Sequence, residues 1–442
     1  MSVKRSYQYS TFHKLSPRFY TNIGKVLVVV LLLVSSQQLH ARSWTVYLFF
    51  HAQDAYQEAQ TAVKHWKNAL VTDTDGEIKV CIDVFAGDRS QRVIIERGLA
   101  HECPLAPCGD PYTIIKNGCE TVFKEVGSSK TALFFSGHGT GILTPRYDAE
   151  RMRWYFEPDE GQSACSRYSA LKYEAFCKKI EYIMEGKSVL LSPNENGLLT
   201  IDQMRTLFDS LIPKVLTKKI DLIGFDACYM ALFEVVYELH QYCNYVIASQ
   251  ECEDKEGWNY HEIGQLLRTH TEPYLSARHI AIRHDRIQHQ RGLDRYSLSV
   301  FDSQHVPAMA AALDDLCTEL VQHMETNKCV IQALCAVRTR LHKMSGVPFY
   351  VDLLECVDEL LIEINTLART PQLNRLVQTL LSVRETHALM MAVSVHGPLC
   401  ARLKGCSVYF PYAHIDTSYN GSFVAKHSWY SFLEAFVSDR TL

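Results

Sequence analysis

Five short, mostly apolar runs constrain this chain more than any other feature of its 442 residues. They read WTVYLFF (44–50), KVCIDVF (79–85), ALFF (132–135), IDLIGF (220–225) and YVIAS (245–249). Runs of this length, with little polar alternation, mark strands buried on both faces, as in a parallel sheet. Segments of helical spacing lie between them. Ala55, Ala59, Val63 and Trp66 share a face in 51–70, and 112–126 reads as a second helix. Thr200 and Gln203 form a capping-box pattern ahead of a third. Strand–helix alternation of this kind predicts an α/β sandwich with a mostly parallel central sheet.

The stretch from Lys219 to Gln241, KIDLIGFDACYMALFEVVYELHQ, carries the most chemistry. A buried strand runs to Phe225, turns through Asp226, Ala227 and Cys228, and is expected to continue directly as a helix. Glu234, Glu238 and Gln241 form a polar stripe on that helix. Asp226 and Cys228 then lie at the carboxyl end of a central strand, where open α/β sheets place their sites. A helix N-terminus beside Cys228 would favour its thiolate, the nucleophilic form. The alternative is a buried structural cysteine. A second strand end, TALFFSGHGTGI, sets His138 between two glycines on the same edge of the sheet. An isolated His-Gly turn is uninformative, but a thiol and an imidazole on neighbouring strand ends are what nucleophilic catalysis needs.

Composition excludes several classes. Hydrophobic residues at 47%, charged residues at 21% and a formal net charge of −4 describe a globular chain with no basic block for nucleic acid. The N-terminus differs from the rest. Lys4, Arg5, Lys14, Arg18 and Lys25 precede the apolar run Val26–Val34, and no acid occurs before Asp54. With Leu39-His40-Ala41 as a cleavage site, residues 1–41 read as a signal peptide, with an uncleaved membrane anchor as the alternative. A mitochondrial presequence fits less well. Export is therefore expected, with a mature chain from about Arg42. Of the 15 cysteines, Cys103 and Cys108 are close enough to pair, and no C-x-x-C occurs.

The remaining segments complete the layout. Residues 86–110 read as loop, and the pattern breaks down over 144–196, a connection long enough for a lid or a processed loop. Residues 250–258 form an acidic loop after the 245–249 strand, and a helix is expected over 260–267. A catalytic domain is assigned to 42–295. The rest, 296–442, is expected to be mainly helical, with closing strands at 389–395 and 405–410 and a last helix over 429–437.

Taken in order, ALFFSGHGTG, LIGFDACYMALFEVVYEL, YVIASQECEDKEGWNY and GCSVYFPY resemble the clostripain family of cysteine peptidases, which have the caspase-like fold. The resemblance implies a three-layer α/β/α sandwich. It implies Cys228 as nucleophile, His138 as general acid/base, and the backbone N–H groups of Gly139 and Cys228 as oxyanion donors, worth about 3–4 kcal/mol each. It further implies Asp226 as the acid of a pocket for Arg or Lys, with Glu256 and Ser249 beside it. Self-cleavage within 144–196 follows from the same resemblance, at candidates Arg151, Arg153 and Lys187. No cofactor is required, a calcium effect is left open, and the expected partners of the monomer are polypeptides with basic residues. Two departures bear on the cleft: Ile142 stands where relatives often have Trp, and Ser249-Gln250-Glu251 replaces an SEE-type loop. Two other readings remain: Asn- or Asp-directed cleavage on the same fold, and a catalytically silent scaffold. Asp226 disfavours Asp by charge repulsion.

Overall fold

The computed structural model describes residues 44–51, 56–105, 110–124, 130–137, 139, 141–142, 146–148, 153–155, 199–212, 218–270, 272–342, 344, 347–367, 370–412, 414–419, 423 and 426–438. The leader, Cys108, His138, Arg151 and Lys187 lie outside them, as does most of 144–196. The described residues from Trp44 onward belong to one compact unit.

Its centre is five parallel strands: β1 (Trp44–His51), β2 (Ile78–Phe85), β5 (Lys130–Ser136), β8 (Ile220–Asp226) and β9 (Cys243–Ala248). They lie in the order β9-β8-β5-β1-β2. The unbroken apolar runs have a direct cause. In β1, Val46, Leu48 and Phe50 enter one core while Tyr47 and Phe49 enter the other. Helices α1 (Tyr56–Leu70), α5 (Tyr260–Thr269) and α6 (Pro273–Gln290) cover the first face. Helices α2 (Pro111–Phe123), α3 (Ile201–Leu211) and α4 (Phe233–Leu239) cover the second. This is the α/β/α sandwich expected from the strand–helix alternation. The Thr200 capping box forms with both of its hydrogen bonds, 2.8 and 3.2 Å.

The expected loop at 86–110 is instead an antiparallel hairpin, β3 (Gln91–Glu96) and β4 (Leu99–Pro104), which extends the sheet beyond β2. Arg97 and Gly98 turn it with φ of 52° and 72°, the left-handed pair that two-residue hairpins use. Every residue of β4 is exposed, so this edge strand has no apolar alternation to betray it. Arg92 on β3 instead forms a charged fork with the buried Asp83 of β2, at 2.6 and 2.7 Å. On the opposite edge, β10 (Ser297–Asp302) and β12 (Met391–His396) add two antiparallel strands after β9. The chain beyond 296 thus shares the central sheet. It also supplies long helices, α7 (Val306–Thr326), α8 (Lys328–Arg340), α9 (Leu353–Thr366) and α10 (Pro371–Met390), and the closing helix α11 (Trp429–Ser438).

Helix α4 does not follow Cys228 directly. It begins at Phe233, five residues after Cys228, and has only seven residues. Residues 229–232 instead pair on both sides. Ala231 donates to the Ser249 carbonyl at 2.8 Å and accepts from the Ser407 N–H at 2.9 Å. A helix dipole therefore does not act on Cys228. Of the expected polar stripe, Glu234 and Glu238 are buried on α4, whereas Gln241 lies past its end and is exposed. Glu234 accepts from the Tyr409 N–H at 2.9 Å and the Tyr419 hydroxyl at 3.0 Å, and Glu238 accepts from the Phe423 N–H at 2.8 Å. These two acids clamp the C-terminal segment onto the sheet.

Burial pushes the Glu234 carboxyl up to about 7 from its usual 4.5, against the lowering effect of its hydrogen bonds. The folded chain thus holds a proton that the unfolded chain releases between these values. Stability from this group falls as pH rises from about 4.5 to about 7, by about 3 kcal/mol in all. In Glu234→Gln the amide oxygen still accepts from Tyr409 and Tyr419, and the titration is gone. Urea denaturation at pH 4, 6 and 8 should show the variant gaining on the wild type as pH rises. Parallel pH dependences in the two proteins would contradict this.

Candidate active site

Register brings the two chemical strand ends together. Ser136, last in β5, lies opposite Asp226, last in β8, and the Gly137 N–H donates to the Asp226 carbonyl at 3.1 Å. Gly139 packs against the peptide of Cys228 so closely that an added Cβ would lie 2.0 Å from the Cys228 oxygen and 3.0 Å from its nitrogen. Only glycine fits there. The two glycines that flank His138 thus both border 226–228, and the two sequence-predicted oxyanion donors, Gly139 and Cys228, are neighbours. The histidine itself lies outside the described residues.

The chain leaves β8 through a strained turn. Tyr229, directly after Cys228, has φ of 60°, a conformation that a bulky side chain rarely adopts and that clusters at functional sites. Its N–H donates to the Glu251 carbonyl at 3.3 Å, so 228–231 runs alongside 249–253. The Cys228 sulfur, 6% exposed, accepts from the Glu253 N–H at 3.3 Å. Its thiol is pushed well above the ordinary range, first by a hydrogen bond with the Cys252 thiol and then by burial, while the Glu253 N–H acts the other way. These surroundings favour the thiol form of Cys228 over its thiolate. The thiol needs a base to act as a nucleophile.

The 249–253 segment is firmly held. The Ser297 hydroxyl accepts from the N–H groups of Gln250 and Glu251 at 2.9 and 3.1 Å. The Gln250 side chain donates to Asp352 at 2.9 Å and accepts from the Gly405 N–H at 2.8 Å. Glu251, fully buried, pairs with Arg295 at 3.0 Å. These anchors come from residues some fifty to a hundred and fifty positions away, and no local spacing announces them.

Asp226 is 1% exposed, and one of its carboxylate oxygens does all the structural work. Oδ2 accepts from the Ser136 hydroxyl at 3.1 Å, the Trp258 N–H at 3.2 Å and the Tyr260 hydroxyl at 2.8 Å. Oδ1 has no hydrogen-bond partner among the described residues. The Tyr260 phenol is pushed well above its usual range by burial and then by the Asp226 charge. The other candidates fall elsewhere. The Glu256 side chain is 71% exposed and pairs with Arg291 at 2.9 Å. Ser249 is fully buried, and its hydroxyl donates to the Glu251 carbonyl at 3.0 Å, so it braces the loop. Arg153 lies in β7 (Arg153–Tyr155), which pairs with β6 (Arg146–Asp148) in a short separate ribbon. Cys252, Ser136 and Tyr260 are site residues that sequence reasoning missed. The signal for Ser136 is the register of β5 on β8, which only a paired sheet reveals, whereas Tyr260 reaches Asp226 from the first turn of α5.

This arrangement joins a strand-end thiol, backbone donors at a glycine turn and a buried acid. Comparison with known proteins agrees with it. The family model described as "Clostripain family" matches residues 194–417, just over half of the chain, a span that contains Asp226 and Cys228 and begins after His138. No curated protein matches. A secreted C11 cysteine protease from Bacteroides thetaiotaomicron, solved with an irreversible peptide inhibitor, superposes with a TM-score of 0.56. It is 16% identical, over 89% of this chain and 99% of that one. An inactive zymogen C11 protease from Parabacteroides distasonis gives 0.52 at 15% identity, over 90% and 97%. At these identities the likeness is one of fold. With the family match, the central parallel sheet and the cysteine at its carboxyl edge, the chain belongs to the clostripain family of cysteine peptidases.

Proposed function

We propose that this peptidase is exported, needs no cofactor, cuts polypeptides after Arg or Lys, and matures by cutting itself. The observation that carries the specificity is the divided carboxylate of Asp226. One oxygen is saturated by three donors, and the other is buried with no partner among the described residues. A buried acceptor left unmade costs about 1–3 kcal/mol, and a guanidinium or ammonium would supply the missing donor and the opposite charge. An Asn side chain could donate to the same oxygen, but without the charge. A Leu could not donate at all.

In the proposed reaction His138 takes the Cys228 proton and the thiolate attacks the scissile carbonyl. The N–H groups of Gly139 and Cys228 receive the oxyanion. His138 then gives its proton to the leaving amine, and the thioester is hydrolysed by a water that His138 deprotonates. Two features support a resting precursor: the burial of Cys228, in surroundings that favour its thiol form, and the near-complete burial of Asp226. One structural relative is described as an inactive zymogen, and another as secreted, in keeping with the basic, apolar leader. The test is turnover of five fluorogenic peptides that differ only in the residue before the scissile bond: Arg, Lys, Asn, Asp or Leu. Hydrolysis of the Arg and Lys peptides alone is expected. Preference for Asn or Asp would overturn the assignment of Asp226.

A further inference from the structure

The Cys252 thiol takes no part in this reaction, yet it lies against Cys228. The segments 228–231 and 249–253 run side by side, joined by hydrogen bonds of 3.3 Å from Tyr229 to Glu251 and 2.8 Å from Ala231 to Ser249. The Cys228 sulfur accepts from the Glu253 N–H, the peptide nitrogen that directly follows Cys252, at 3.3 Å. One hydrogen bond and two covalent bonds therefore separate that sulfur from the Cys252 Cα. On the other strand, the Tyr229 hydroxyl is 2.7 Å from the Cys252 sulfur. Of the groups around the Cys228 thiol, Cys252 acts on it most strongly. Both segments are braced, by Ser297 and Gln250 on one side and by β8 on the other, so the approach is built into the site. Cys228 is nearly buried, while Cys252 is partly exposed.

We propose that Cys228 and Cys252 form a reversible disulfide, a modification site in which a hydroperoxide oxidises Cys228 and Cys252 resolves the product. Once the base of the peptidase reaction has taken the Cys228 proton, the thiolate attacks the terminal oxygen of ROOH. The O–O bond breaks, Cys228 becomes a sulfenic acid, and the alkoxide leaves as ROH after taking a proton. The Cys252 sulfur then attacks the Cys228 sulfur, the S–O bond breaks, and hydroxide leaves as water with the Cys252 proton. Two thiols and one hydroperoxide become one disulfide, one ROH and one water. Two equivalents of an external thiol reverse the bond by exchange. Resolution by Cys252 spares Cys228 the irreversible step to sulfinic acid. That the disulfide also silences the peptidase rests on Cys228 being the nucleophile.

The test treats the full chain with hydrogen peroxide, blocks residual thiols by alkylation and maps the peptides by mass spectrometry. A Cys228–Cys252 linked pair that dithiothreitol releases is expected. This readout needs no activity, so it stands or falls apart from the assigned chemistry. In parallel, each protein's peptidase activity is compared with its own reduced sample. Wild type should lose activity with peroxide and regain it with dithiothreitol. Cys252→Ser should accumulate sulfinic acid at Cys228 and recover about tenfold less. Sulfinic acid at Cys228 in the wild type, or Cys252 linked to a different cysteine or left as a thiol, would overturn the proposal. A linked pair with no change in turnover would keep the modification and refute Cys228 as the nucleophile.

Discussion

Cys228→Ala should fold normally and lose peptide hydrolysis by on the order of 10⁴-fold or more, the loss seen when a covalent nucleophile is removed. The fold argument is local. The side chain that disappears is one sulfur at the edge of the core; the Glu253 N–H loses its acceptor, at a cost of about 1 kcal/mol, and Cys252 keeps the Tyr229 hydroxyl. Tyr229 to Leu232 stay pinned by the bonds of Ala231 to Ser249 and Ser407. The chemistry cannot be replaced so easily. Neither Tyr229 nor Ser136 could accept the acyl group in its stead, because the phenol leans on Cys252 and the serine hydroxyl is committed to Asp226. A fall in turnover of less than about tenfold would mean that another group attacks the carbonyl. Thermal unfolding of the same sample separates lost chemistry from lost fold.

Asp226→Asn should reduce kcat/KM on Arg and Lys peptides by about 10²- to 10⁴-fold, with little change in unfolding temperature. The estimate is the 3–5 kcal/mol lost when one partner of a buried charged pair is removed. Asparagine separates the two jobs of this side chain. Its amide oxygen can take the place of Oδ2 and accept from Ser136, the Trp258 N–H and Tyr260, so the strand ends stay joined. Its amide nitrogen then stands where Oδ1 was and presents donors, not charge, to an incoming cation. Asp226→Ala would confuse the two effects, because three buried donors would lose their acceptor at about 1–3 kcal/mol each. An Asn variant that keeps its Arg turnover to within about threefold would remove Asp226 from the specificity pocket.

The sheet was legible because its central strands are covered on both faces, which forces unbroken apolar runs such as WTVYLFF and ALFF. The hairpin 91–104 was not, because β4 is wholly exposed and carries charged and polar residues, and only its turn at Arg97-Gly98 marks it. Cys228 and Asp226 could be placed at a strand end from local pattern alone. Their surroundings could not. The apolar string after Cys228 has the composition of a helix, yet tertiary pairing with Ser249 and Ser407 keeps 229–232 out of a helix and moves its start to Phe233. The same pairing sets the thiol chemistry. It removes the helix terminus that would favour a thiolate and brings up Cys252, which disfavours one. The pairing of Glu256, placed beside the pocket by resemblance alone, with Arg291 at the surface was equally illegible, because thirty-five residues separate the partners.

The most direct measurement is covalent capture of the nucleophile. The protein would be incubated with peptide acyloxymethyl ketones ending in Arg or in Asn, and the adduct located by mass spectrometry of its fragments. An adduct on the Cys228 sulfur, formed with the Arg reagent, much slower with the Asn reagent and absent in Cys228→Ala, is the predicted result. An adduct on any other residue, or faster capture by the Asn reagent, would contradict the assignment of Cys228 and Asp226.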